Sequence, residues 1–216
     1  MSTPTRGNLV VLTAPSGTGK STAVARLLER VGGLVFSVSH TTRAPRPHER
    51  HGVDYFFVDE ASFQQMTQEG RFLEWAVVHG HHSGTSAAVV DEHLSDGRDV
   101  LLDIDVQGAS QVVKRRPEAV TIFLLPPSFD ELKRRLVSRA TESEESLRRR
   151  LQRARREVQH GRDFRYVVVN DTIEQTVDEL CAIVLAERAT TRCRKDVMER
   201  IVTTFVEKSG SEGGCH

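Results

Sequence analysis

"NLVVLTAPSGTGKST", residues 8–22, decides how this chain folds. Its first half is a nearly continuous apolar run, which suits a strand buried on both faces of a parallel sheet. The second half is a turn of small residues that opens directly onto a helical pattern at Ser21–Arg30, with Ala23, Val24, Leu27 and Leu28 on one face. Strand, glycine turn and helix in that order make a phosphate cradle. Ala14, Pro15, Ser16, Gly17, Thr18, Gly19, Lys20, Ser21 and Thr22 supply the loop. Its glycines let backbone N–H groups converge on phosphate oxygens, and the helix N-terminus adds positive potential. Lys20 reaches the outer phosphates and the Ser21 hydroxyl can ligate Mg²⁺. Ala14 stands where the pattern usually begins with glycine. A turn built only to join strand to helix is the competing reading, and "GTGKST" in this setting weighs against it.

Four more apolar runs follow: "LVFSVS" at 34–39, "DVLLDI" at 99–104, "AVTIFLL" at 119–125 and "YVVVN" at 166–170. Helical spacing fills most of the gaps, including Ser128–Val137 and Glu174–Arg188. This alternation predicts an α/β fold, a doubly wound core on a five-stranded parallel sheet. Residues 39–96 interrupt the rhythm with strand signals and a helix capped by Asp59, and read as a small inserted lobe. Residues 138–160 are so polar that no full face suits a core; a helix starting after Ser143 reads there as a mobile arm. Residues 190–208 carry Val197, Ile201, Val202 and Phe205 at helical spacing, able to pack on the core or on another subunit. The tail "SGSEGGCH" has the composition of a disordered segment.

At 216 residues the chain is sized for one full α/β domain, and its 30 basic and 30 acidic residues balance. A neutral whole argues against nucleic acid or a membrane surface as partner. No apolar run approaches a spanning length, and the widely spaced Cys181, Cys193 and Cys215 outline neither a disulfide framework nor a zinc knuckle. A soluble, cytoplasmic protein, monomer or homo-oligomer, is expected. Cys181 reads as a helix-core residue and Cys215 as an exposed thiol. "HGHH" at 79–82 has no further ligand at sensible spacing for a metal site.

The loop alone leaves ATPases, GTPases and small-molecule kinases open. "VVVND" at 167–171 is a poor base-recognition segment for a GTPase. Asp103, at the end of the buried "LLDIDVQG" run, suits a carboxylate that orients the metal's water shell; a helix N-cap is the alternative. In "SHTTRAPRP", Arg43 and Arg46 lie three apart in a proline-punctuated extended segment, where two forked guanidinium groups can converge on one dianion. Glu74 in "FLEW" sits among apolar neighbours, so it either makes a buried ion pair or accepts hydrogen bonds from a ligand.

The stretches "APSGTGKST", "SVSHTTRAPRP", "DYFF", "FLEW", "GTS", "DIDVQG", "LPPS", "RATESEESLRRRL" and "VVVND" stand in the order found in guanylate kinases, and over about residues 7–190 the chain resembles that family. The resemblance implies ATP as phosphoryl donor, Mg²⁺ as cofactor, and GMP or dGMP as acceptor. It divides the chain into a core (7–38, 97–137 and 161–190), a GMP-binding lobe (39–96) and a helical lid (138–160), with a C-terminal helix and tail at 191–216. Arg43, Arg46 and Tyr55 would then hold the GMP phosphate, and Ser39, Glu74, Thr85 and Asp105 would surround the guanine. Lys20, Arg135, Arg139 and Arg150 would gather the ATP phosphates, with Asn170 also on the ATP side and Arg43 counted with the catalytic cations. The other arginines of the arm read as surface. One departure stands out: where the family usually has two tyrosines before the glycine of "GTS", this chain has His82 and Ser83, implying a weaker hold on the acceptor phosphate. Scaffolds related to this family but without catalysis commonly have degraded phosphate loops, whereas Lys20 and Ser21 are present here.

Overall fold

The computed structural model describes residues 6–78, 80–138 and 144–209. In chain order, β1 (Leu9–Thr13) leads to α1 (Lys20–Arg30) and β2 (Leu34–Phe36). Next come β3 (His40–Thr41), β4 (Phe56–Phe57), α2 (Glu60–Gln68), β5 (Phe72–Val78), β6 (His81–Ser86) and α3 (Ala87–Ser95). The chain then forms β7 (Asp99–Asp103), α4 (Val106–Arg115), β8 (Val120–Leu125), α5 (Phe129–Ser138) and α6 (Glu144–Glu157). A 3₁₀ turn (Val158–Asp163), β9 (Tyr166–Val169), α7 (Ile173–Arg188) and α8 (Thr191–Ser209) complete it.

The five predicted runs form one parallel sheet in the order β2-β7-β1-β8-β9. β1 is central, with Val10 opposite Leu101 on one side and Val120 on the other. Successive side chains of a strand point to opposite faces, and β1 divides accordingly. Val10 and Leu12 pack with Ala23 and Leu27 of α1 and Leu180 and Val184 of α7. Leu9 and Val11 pack with Val90 and Leu94 of α3 and Ala109 and Val112 of α4. Helices therefore cover both faces, which accounts for the lack of polar alternation in the strands. The second run is shorter than its sequence reading. β2 stops at Phe36 because, after Ser37 N donates to Leu101 O at 3.0 Å, the chain leaves this sheet for the next one.

That second sheet has the order β4-β3-β6-β5; β3 and β4 are parallel, and the other pairs are antiparallel. Its accompanying helix α2 starts as predicted, with the Asp59 carboxylate accepting from Ser62 N at 2.7 Å. α6 has no full core face, but it does have a narrow one. Ala154 is buried and Leu147 and Leu151 are partly buried against Leu132 and Leu136 of α5, so a narrow apolar stripe does anchor it. α8 buries Cys193 of its first turn, whose thiol lies 3.2 Å from Asn8 Oδ1, and half-buries Val197, while Met198, Ile201, Val202 and Phe205 are largely exposed. Cys181 is buried in the core as expected. The tail, Cys215 and Ser143 lie outside the described residues.

At the end of the strands opposite the glycine loop, Asp99 is 3% exposed. Its carboxylate accepts from Asn8 N at 2.6 Å and from Arg188 Nε at 2.7 Å, tying the starts of β1 and β7 to the end of α7. Removing one partner of such a charge-assisted network strands the other. Asp99→Ala is therefore expected to lower the unfolding free energy by about 1–3 kcal/mol. Urea denaturation measures this, and an unchanged midpoint would show that the clasp contributes nothing.

Candidate active site

β1 ends at Thr13, whose Oγ1 donates to Ile104 O at 3.0 Å, so the start of the glycine loop is fastened to the segment after β7. Gly17 and Gly19 have φ of 91° and 96°, a region that side chains rarely enter. Space is closed to side chains there as well. A Cβ at Gly17 would lie 2.5 Å from Leu136 Cδ2, and one at Gly19 would lie 2.6 Å from Asn170 Nδ2. Beneath the loop, the Thr18 carbonyl accepts from Asn170 Nδ2 at 2.6 Å and from Arg135 Nη1 at 3.4 Å. The Thr18 hydroxyl donates to Pro15 O at 2.7 Å. Arg135 also bonds the carbonyls of Asn170 at 3.0 Å and Asp171 at 3.2 Å, and its Nε donates to Glu131 at 2.6 Å.

A cavity of about 970 Å³ opens in front of the loop, lined on that side by residues 14–17 and 19–22. Thr18, Asn170 and Arg135 do not line it; they brace the loop from behind. Lys20 faces the cavity, where its ammonium pairs with Asp103 and lies 3.4 Å from Ile104 O. Asp103 and Ser21 border the same space, and a hydroxyl beside a carboxylate is the oxygen chemistry that Mg²⁺ prefers. The helix N-cap is Asp105 and not Asp103: Asp105 Oδ1 accepts from Gly108 N at 2.9 Å at the start of α4.

The second sheet forms the opposite wall. Alternation along its strands turns Glu74, Ala76 and Val78 of β5, and His81 and Ser83 of β6, toward the cavity. A bulge between Phe72 and Glu74 sets this phase, since Phe72 pairs with Ser86 and Glu74 with Thr85. It also lets Phe72 and Leu73 both be buried. His82 points the other way, stacked on Phe63 with ring centroids 5.2 Å apart and its Nδ1 2.7 Å from Glu60 Oε1. His79 lies outside the described residues.

Glu74 is 5% exposed, and its Oε1 accepts from Thr85 Oγ1 at 2.6 Å. Thr85 is itself buried and reaches the cavity only through this carboxylate. Burial pushes the Glu74 carboxyl up to about 7; the Thr85 hydroxyl opposes the rise and the nearby Asp105 charge adds to it. Space beside it is tight, because a Cβ on Gly108 would come within 2.7 Å of Glu74 Oε2. Ser39, Arg43, Arg46, Tyr55 and Asp105 line the same cavity.

α6 closes the remaining side with Ser146, Arg150, Arg153 and Glu157, one helical stripe. Arg150 Nη2 donates to Ser16 Oγ at 2.9 Å. Arg153, expected at the surface with the arm's other arginines, is exposed but also borders the cavity, 2.6 Å from Glu157 Oε1 and 3.8 Å from Asp105 Oδ2. Its position three residues after Arg150 was the available signal. Glu49, also on the cavity wall, had no such signal, since its partners lie along an irregular turn. Arg139 falls outside the described residues.

A glycine loop at the end of a parallel sheet, facing paired arginines across one cavity, defines a P-loop phosphotransferase with a donor side and an acceptor side. The guanylate kinase family model matches residues 6–187. A guanylate kinase of Thermus thermophilus is 52% identical over 183 residues, covering 85% of this chain and 83% of that protein. One of Myxococcus xanthus is 49% identical over 191 residues, 88% of this chain and 90% of that protein. The crystal structure of guanylate kinase from Anaplasma phagocytophilum matches with a TM-score of 0.71 at 36% identity, over 88% of this chain and 90% of that one. The chain belongs to the guanylate kinase family.

The Glu74 environment is open to direct measurement. Its side-chain carboxyl ¹³C resonance is expected to titrate near 7. Thr85→Val should move the midpoint higher, because the lost hydroxyl favoured the ionised form. A midpoint at the ordinary glutamate value of about 4.3 would refute the burial argument.

Proposed function

We propose that this chain transfers the γ-phosphate of ATP to GMP, and to dGMP as a second acceptor, giving ADP and the nucleoside diphosphate. The observation that carries this reading is one cavity with a braced phosphate loop at one end and a buried carboxylate, Glu74, at the other. We assign residues 39–96 as the acceptor-binding lobe and 138–160 as the lid. Guanine presents N1–H and an N2 amine on one edge, so a single ionised carboxylate accepts both. Adenine offers an acceptor at N1 and no such amine, and would leave the Glu74 oxygen not bonded to Thr85 facing no donor on the base, a mismatch that supports strong discrimination. Ser39 and Asp105 border the base, and Thr85 holds Glu74 in register with it.

The acceptor is already an anionic phosphate, so no general base is required. The difficulty is electrostatic: two polyanions must meet in line while charge spreads over the transferred group. Lys20 and Arg150 serve the donor side; Arg43 and Arg46 serve the acceptor side, with the Tyr55 hydroxyl as a further donor to the acceptor phosphate. Arg135 and Asn170 act through the loop they brace. When bound, Mg²⁺ would supply additional neutralisation of phosphate charge, with the Ser21 hydroxyl as a direct ligand and Asp103 holding it through water. Packing α6 over the cavity keeps water from the γ-phosphate. No helix among the described residues is long and apolar enough to cross a membrane.

A coupled ADP-release assay with GMP, dGMP, AMP, CMP and UMP tests the assignment, with GMP and dGMP expected to be the only efficient acceptors. Lys20→Ala should lower kcat by about 10²–10³-fold, the scale of losing one preorganised charge at the transferring group; near-normal turnover would contradict the mechanism. Glu74→Gln should erase most of the preference for GMP over AMP. In the unsubstituted enzyme, kcat/KM for GMP should rise as pH increases through about 7, because the ionised carboxylate is the form that accepts from guanine. A profile flat between pH 6 and 8 would separate Glu74 from base binding.

A further inference from the structure

We infer that Glu49 is a positioning residue for the acceptor phosphate: its carboxylate aims the Arg43 guanidinium and fixes the turn that presents Arg46. The inference rests on the assignment of this wall as the acceptor side. Two separate contacts carry it. Glu49 Oε1 accepts from Arg43 Nη2 at 2.8 Å, and Glu49 Oε2 accepts from Arg46 N at 2.9 Å. Glu49 N in turn donates to Arg46 O at 3.0 Å, so the side chain and the backbone of the same residue close the 46–49 turn from both directions.

Arg43 is restrained on its other sides as well. Its Nη1 donates to Ala44 O at 2.8 Å, and its guanidinium carbon lies 5.3 Å from the Tyr55 ring centroid and 5.9 Å from that of Phe57. A free arginine side chain carries a large rotamer entropy, and fixing it beforehand removes that cost from ligand binding. Among these partners, Glu49 alone touches both arginines. The side chains of Arg43 and Glu49 are 23% and 16% exposed, so their contact is partly shielded from water.

The charge count makes the role testable. A carboxylate beside an anion-binding pair reduces its net positive charge, which by itself weakens attraction for a phosphate dianion. Hydrogen bonds from Arg43 and Arg46 N hold the Glu49 carboxyl below its ordinary range, so this negative charge persists at neutral pH. If charge alone mattered, removing it would tighten acceptor binding. If positioning matters more, the same removal loosens it. The two effects have opposite signs.

Glu49→Ala and Glu49→Gln, compared with the unsubstituted protein by steady-state kinetics and by calorimetric GMP binding, decide between them. Positioning predicts that Glu49→Ala raises the GMP KM and Kd at least tenfold while kcat stays within threefold and the ATP KM is unchanged. Glu49→Gln, which keeps the shape and one accepting oxygen, should show a smaller rise of a few fold. A general structural role would instead lower Tm and disturb the ATP KM together with the GMP KM. Unchanged or tighter GMP binding in Glu49→Ala, with the unsubstituted protein binding GMP normally, overturns the Glu49 assignment alone. Absence of GMP binding by the unsubstituted protein overturns the acceptor reading, and this inference falls with it.

Discussion

A backbone that is to meet phosphate must present several N–H groups at once and hold them still, and the Thr18 carbonyl is where this chain meets that demand. Gly17 and Gly19 flank it at φ values of 91° and 96°, giving the loop a shape that few other residues would keep. A permissive backbone is also a loose one. Asn170 from the end of β9 and Arg135 from α5 both donate to that carbonyl, and Thr176 Oγ1 holds Asn170 in turn at 3.0 Å. The geometry of the loop thus depends on residues far from it in sequence, because the sheet order places β8 beside β1 and β9 beside β8.

Across the cavity the constraint is different. Glu74 is a buried carboxylate that accepts from Thr85; burial, with the like charge of Asp105 adding to it, keeps its proton affinity high. The strand bulge before it, the N-cap at Asp105 and the absence of a side chain on Gly108 each shape the space around its second oxygen. Such an arrangement costs folding energy, since burying a carboxylate is unfavourable unless its charge is met. Sites of this kind are where chemical selectivity is built.

Much of the fold was legible because burial writes directly into sequence. The five apolar runs became the five strands of the parallel sheet, and the Asp59 cap was visible from residue type and position. The length of β2 was not, since "LVFSVS" reads the same whether its last three residues pair in one sheet or cross to another. The stripe on α6 was hidden by its surrounding arginines: Leu147, Leu151 and Ala154 are few, yet they suffice to seat it on α5. For the site, a linear motif separates neither lining from bracing nor one side of a helix from another. Thr18, Asn170 and Arg135 belong to the loop's support, Thr85 acts behind Glu74, and Arg153 joins the cavity wall. Glu49 escaped notice because a turn has no period from which its partners can be read.

The stripe on α6 has one more implication. Arg150 reaches Ser16 of the glycine loop, and Arg153, three residues on, approaches Asp105 near Glu74. Three residues of α-helix advance about 4.5 Å, a spacing the backbone does not let vary. The helix therefore works as a gauge laid across the cleft, holding the two arginines at a fixed spacing, and a one-residue insertion between them would swing the second about 100° off the wall.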